Sequence, residues 1–274
     1  MAFERQSAEA LDYLPCRYGV SKLTFRGPKR DLTKDYVAVL GGTEVYGKYL
    51  KTPFVAQVED RLGEVCVNLG LMNTGIDAFL HDPDVLGIAA QAKVAVVQLV
   101  GAHNMSNRFY RVHPRRNDRF LKASALLSAI YRDVDFTDFH FTKHMLQHLK
   151  MLSPERFRTI EDELQAAWLA RMKLLLQGLG RDVVLLWLRG REEDTLGADP
   201  LFVTAEMVQA LRGDVRDVVD IEIEEAGSCL KGMFYPPMEA HIAERMMPES
   251  EHVHVADVLA ERIGPLITKQ ARLG

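Results

Sequence analysis

The feature that most restricts what this chain can fold into is a succession of short apolar runs, each ending on glycine or a polar cluster and each followed by a helical pattern. Tyr36-Val37-Ala38-Val39-Leu40 runs into Gly41-Gly42, and an apolar run of that length bounded by glycine reads as a strand buried on both faces. A helical stretch over 44–61 follows, interrupted at Pro53 because proline removes a helical donor. The alternation recurs. Val65-Cys66-Val67-Asn68-Leu69 reads as a second strand, 76–91 as a helix broken near Asp82-Pro83, and 93–100 as a third strand. Three βα steps within about 65 residues predict a parallel sheet.

Beyond a long polar stretch, 120–131 and 139–152 read as helices, and 154–180 as a long amphipathic one. In the last of these, Phe157, Ile160, Leu164, Trp168, Met172 and Leu175 recur every three or four residues and mark a buried face. A fourth strand is expected at 182–188, a helix at 205–212, a fifth strand at 215–223, and closing helices at 237–246 and 255–271. With right-handed crossovers, about five such strands give an α/β flavodoxin-like three-layer sandwich with a helical insertion near 120–180. Residues 1–35 are then an N-terminal extension packing on the core, and 36–274 a single domain. The 274 residues lack any internal repeat or compositional break that would mark an interdomain linker.

Composition bounds the function classes. The chain is 47% hydrophobic and 26% charged, and 34 basic against 38 acidic residues leave a formal charge of −4. That balance predicts neither nucleic-acid nor anionic-membrane binding. The uncharged run 94–107 contains Gln98, His103, Asn104 and Asn107, far from the roughly 20 apolar residues of a membrane span. Glu4, Arg5 and Glu9 stand where an export signal needs an apolar core, so a cytoplasmic location is the expectation. Cys16, Cys66 and Cys229 lack Cys-x-x-Cys spacing and read as reduced thiols, Cys66 as a buried one. No phosphate-loop or dinucleotide glycine spacing occurs and no motif fixes a metal, so no cofactor is expected.

In a parallel sheet the residues just after each strand share one edge. Here they are Gly41-Gly42-Thr43-Glu44, Gly70 through Gly75, and Gly101-Ala102-His103-Asn104-Met105-Ser106-Asn107, with Glu249-Ser250-Glu251-His252-Val253-His254 ahead of the last helix. This ordered set resembles the four blocks of the SGNH, or GDSL-like, hydrolase superfamily. By that resemblance Thr43 would be the nucleophile, His252 the base with His254 as alternative, and Glu249 the group orienting the imidazole. Gly70, His103, Asn104 and Asn107 would surround the oxyanion and substrate. The implied activity is that of an esterase or acyltransferase on an acylated polar substrate such as a carbohydrate. Three positions depart from the family pattern: threonine replaces serine, Gly42 an aspartate and His103 an asparagine. Threonine's extra methyl crowds and restricts its hydroxyl, and a threonine at a strand-to-helix turn also serves as a helix cap. The alternative is therefore a non-catalytic anion- or carbohydrate-binding protein on the same fold. The chain, around 104–119 especially, is also similar to a family of alphaproteobacterial proteins, a resemblance that implies no reaction.

The 104–119 segment carries Arg108, Arg111, Arg115, Arg116 and Arg119, with His113 and the single acid Asp118. Arginine's planar fork suits carboxylate, phosphate or sulfate, so Arg108, Arg115, Arg116 and Arg119 are candidate anion ligands beside Thr43. An oligomer contact is the other reading of the same segment, with a homo-oligomer as its consequence.

Overall fold

A computed structural model describes residues 11–190 and 195–270. The first strand, β1 (Tyr36–Gly41), is buried throughout, and two helices follow: α1 (Thr43–Tyr46) and, beyond Pro53, α2 (Phe54–Leu62). Next come β2 (Val65–Gly70), α3 (Asp77–Leu80), α4 (Pro83–Gln91) and β3 (Val94–Gln98). The break between α3 and α4 falls at Asp82, whose carboxylate caps α4 by accepting from the Val85 amide, with Pro83 at the first helical position where its missing N–H costs nothing.

A hairpin, β4 (Tyr110–His113) and β5 (Arg116–Ala123), then leads to α5 (Ala125–Ile130), α6 (Thr142–Leu152) and α7 (Pro154–Leu179). The chain returns to the sheet as β6 (Val183–Arg189), passes through α8 (Ala205–Gln209) to β7 (Asp217–Glu222), and closes with α9 (Ala240–Ala243) and α10 (Glu249–Gln270).

The five long strands lie in the order β2-β1-β3-β6-β7, all parallel. This is the flavodoxin-like arrangement expected from the sequence. Its strand order reverses between β1 and β3, and the crevice outside the carboxyl ends at such a point is where ligands bind in doubly wound sheets. Side chains alternate strictly across the sheet. Val37 and Val39 with Val94, Val96, Val184 and Leu186 face α2 and α10, while Tyr36, Ala38 and Leu40 with Ala95, Val97 and Leu185 face α4 and α7. The stripe Phe157–Leu175 of α7 is buried along its length, and Trp168 Nε1 donates to Val100 O at 2.8 Å, pinning the chain beyond β3.

The 120–131 region departs from its predicted helix. Residues 116–123 form β5, and only 125–130 are helical. The alternation that makes this a hairpin is irregular, with register shifts between Arg111 and His113. Its inward side is Tyr110, Val112, Asn117 and Phe120, and its arginines stand outward or at the rim.

Among the described residues no helix is long and apolar enough to cross a membrane, and no three His, Cys, Asp or Glu are placed to hold a metal ion. The three cysteines are free, and burial pushes the Cys66 thiol up to about 12.

Candidate functional site

A crevice of about 410 Å³ opens at the carboxyl ends of β1, β3 and β6 and brings together Gly42, Thr43, Glu44, Gln98, His103, Asn104 and Lys143. Its opposite wall is Asp199-Pro200-Leu201 with His241, Arg245, Met246 and Met247. The sheet supplies the floor. Gln98, the last residue of β3, is buried and fixed in orientation by two partners: its Oε1 accepts from Gly42 N at 2.8 Å and its Nε2 donates to Glu44 Oε2 at 2.7 Å. Desolvation raises the Glu44 carboxyl above the ordinary range, with Asp199 adding to the rise and the Gln98 bond opposing it.

A second chain of bonds ties the helical insertion to the first strand's turn. Thr142 Oγ1 donates to Asn104 Oδ1 at 2.7 Å, Asn104 Nδ2 donates to Asn73 O at 3.3 Å, and Asn73 N donates to Thr43 Oγ1 at 3.2 Å. Thr43 is not the cap of α1. Gly42 occupies that position without a side-chain bond, and the Thr43 hydroxyl instead joins the β1 and β2 loops. Close approach requires glycine at one point here, since a Cβ on Gly75 would overlap the Asn104 carbonyl. Tyr110 OH, donating to His103 O at 2.6 Å, anchors the remaining loop.

The wall from 230 to 247 is fastened from below. Tyr49 OH donates to the Glu239 carboxylate, Lys48 Nζ lies 3.6 Å from the same group, and Tyr49 and Leu50 pack with Ala226, Met233 and Ala243. His241 follows Glu239 by two residues and reaches the crevice.

Of the residues the sequence singled out, Thr43, His103 and Asn104 meet in this crevice. The others do not. His252 is 1% exposed, lies against Phe54 and accepts the Phe54 N–H on Nδ1 at 3.0 Å. Burial, helped by Arg26, lowers its pKa to about 3. A base so weak takes no hydroxyl proton near neutrality. The reason is the helix start: α10 begins at Glu249, six residues before the predicted 255, so His252 joins the buried stripe Val255, Ala256, Leu259 and Ile263. His254 falls on the exposed side of the same turn, and the Glu249 carboxylate rests against Gly232.

Gly70 is a ladder residue of β2 opposite Gly41, and its amide donates to Asn68 Oδ1 at 2.9 Å, away from any oxyanion. Asn107 closes its own turn, with Oδ1 accepting from the Phe109 and Tyr110 amides. The arginines do not line the crevice. Arg108 pairs with Glu163 at 2.7 Å, Arg119 stacks on Phe141 at 4.1 Å, Arg116 is exposed on β5, and Arg115 faces a different cleft.

Sequence reasoning missed Gln98, Glu44 and His241 as site residues. A polar side chain ending an otherwise apolar strand was the available signal for Gln98, and adjacency to Gly42-Thr43 for Glu44. Nothing local marks His241, which arrives by long-range packing.

A family model described as "Domain of unknown function (DUF6473)" matches residues 1–267. The chain belongs to the DUF6473 family. No curated protein matches it. Among solved structures it is similar to a carbohydrate esterase family 2 enzyme with a carbohydrate-binding domain from Corynascus thermopiles (Myceliophthora fergusii), at 10% identity and TM-score 0.42 over 89% of this chain and 69% of that one. The lipase Lip_vut3 from a goat rumen metagenome is similar at 12% identity and TM-score 0.40, over 84% of this chain and 97% of that one. An acetyl xylan esterase, Est2A, from Butyrivibrio proteoclasticus follows at 10% identity and TM-score 0.44, over 88% of this DUF6473 chain and 65% of that one.

Proposed function

We propose that the DUF6473 chain binds a small polyhydroxylated ligand of the carbohydrate type in the strand-edge crevice without hydrolysing it. The observation that carries this reading is the site's chemistry. Thr43, Glu44, Gln98, His103 and Asn104 converge on one crevice, while the histidine that would activate Thr43 is spent on the Phe54 amide. Such a set of short donors and acceptors matches hydroxyl groups, and Pro200, Leu201, Met246 and Met247 offer apolar surface to the C–H faces of a sugar ring. Glu44, Asp199, Glu224 and Glu225 outnumber Lys143 and Arg245 around the crevice, which favours a neutral ligand there over an anionic one.

Calorimetric titration with a panel of neutral mono- and oligosaccharides tests this. Saturable binding is expected, weakened about tenfold by Glu44→Gln, which replaces a carboxyl oxygen by an amide NH2 in the Gln98-anchored group. No member of a short-chain ester panel is expected to turn over above the uncatalysed rate. Absence of any saccharide binding, or turnover that Thr43→Ala abolishes, overturns the reading.

One observation favours a second reading. His241 lies in the segment before the closing helix and lines the same crevice as Thr43, so a hydrolase could draw its base from there. Ester turnover lost in both Thr43→Ala and His241→Ala would select it.

A further inference from the structure

A second cleft, about 810 Å³ and so larger than the strand-edge crevice, shares no lining residue with it. It lies between the N-terminal segment, the α3–α4 turn and the β4–β5 hairpin. Its charges fall into two sets. The acidic groups are all engaged by the protein itself. Asp77 pairs with Arg171 at 2.7 Å and accepts the Ser106 amide at 3.3 Å. Asp82 caps α4 through Val85 N at 3.1 Å and accepts from Ser21 Oγ at 2.7 Å. Asp84 accepts the Val20 amide at 3.2 Å.

Apart from Arg171, which is held by Asp77 and the Ser106 carbonyl, the arginine and lysine side chains are not so engaged. The side chains of Lys22, Arg111 and Arg115 line the cleft and make no hydrogen bond or ion pair among the described residues. With Arg171 spent on Asp77, the cleft keeps three unpaired cations from two chain segments against the carboxylates of Asp82 and Asp84, a positive surplus that an entering anion can use. Two of them are guanidinium groups, whose forks accept tetrahedral oxyanions in bidentate fashion. The cleft volume is that of a small-molecule site.

We propose that this cleft is a second binding site, taking a small molecule through a phosphoryl group held by Lys22, Arg111 and Arg115. It does not depend on what occupies the strand-edge crevice. Of the 104–119 arginines, Arg111 and Arg115 serve this anion site, while Arg108, Arg116 and Arg119, expected as ligands beside Thr43, lie outside its lining.

The probe is inorganic pyrophosphate, titrated calorimetrically into the whole chain at low and at physiological salt, with sulfate in parallel. Saturable binding is expected, weaker at higher salt, and Arg111→Ala/Arg115→Ala should weaken it at least about tenfold. Lys22→Glu should do the same from the other wall. All three side chains are exposed, so thermal melting of each variant should match the parent. Arg116→Ala, on the same hairpin outside the cleft, should leave binding unchanged. Equal losses for Arg116→Ala would reduce the effect to overall hairpin charge and overturn the site. So would undetectable pyrophosphate binding, and sulfate binding as tight as pyrophosphate would overturn the phosphoryl class.

Discussion

Replacing Arg26 by Met is expected to cost about 3–5 kcal/mol of stability, the range for leaving buried polar groups and loop carbonyls without partners. Arg26 is 7% exposed and pairs with no carboxylate among the described residues. Its guanidinium donates instead to four carbonyls of one loop: Nη1 to Tyr46 O at 3.1 Å and Gly47 O at 2.5 Å, Nη2 to Leu50 O at 2.6 Å and Lys51 O at 2.9 Å. The Tyr13 ring covers it at 5.1 Å. Gly47 needs its positive φ of 70° to turn the chain there, so α1 ends abruptly and its trailing carbonyls have no helical partner. Asn68 Nδ2 takes the Val45 carbonyl, and Arg26 supplies the partner for Tyr46 O while tying the helix end to the Gly47, Leu50 and Lys51 carbonyls beyond it. Methionine fills similar volume with no donor, isolating the lost hydrogen bonds from a packing void. The melting temperature should fall by about 5–9 °C for a chain of this size. Because α1 carries Thr43 and Glu44, ligand affinity at the strand-edge crevice should fall alongside. A melting temperature within about 2 °C of the parent would mean that water replaces the guanidinium at little cost, and would sink the strap argument.

The sheet was legible in the sequence for a physical reason. Strands covered on both faces must be apolar at every position, so 36–40, 65–69, 94–98 and 183–188 stand out against their polar ends. The long stripe of α7 was legible because helix burial repeats at its own period. The β4–β5 hairpin was not. Only its inner side is covered, its register shifts twice, and arginines at 111, 115, 116 and 119 break the alternation that would announce a strand. Conversely, Thr43, His103 and Asn104 were recoverable because topology alone carries post-strand residues to one edge. His252 was misplaced although its partners were in view: 252, 255, 256, 259 and 263 share one helical face, and a histidine continuing an apolar stripe belongs to the core. Glu44 and Gln98 make a site only through each other, 54 residues apart, and pairing at that separation has no local signature.

The same buried histidine should make folding stability fall with acidity. His252 titrates near 6.5 when unfolded and at about 3 when folded. Between those values the unfolded chain binds a proton that the folded one excludes. The stability it contributes is therefore complete above pH 6.5, declines as pH falls below that value, and levels off under pH 3. The decline is about 2 kcal/mol between pH 7 and 5 and about 4–5 kcal/mol in all, at 1.36 kcal/mol per unit. Carboxylates also titrate in this range, so the contribution is read as a difference against His252→Asn. Asparagine places an oxygen acceptor near the position of Nδ1 and retains the bond from the Phe54 amide without a titrating ring. Urea denaturation of both proteins at pH 7, 6 and 5 should give curves that converge toward acid, the parent losing its advantage as pH falls. Parallel profiles would show that the ring titrates equally in both states and has access to solvent. Arg26 faces this ring electrostatically, so Arg26→Met should raise the folded pKa of His252 and flatten the same decline, joining the two substitutions in one measurement.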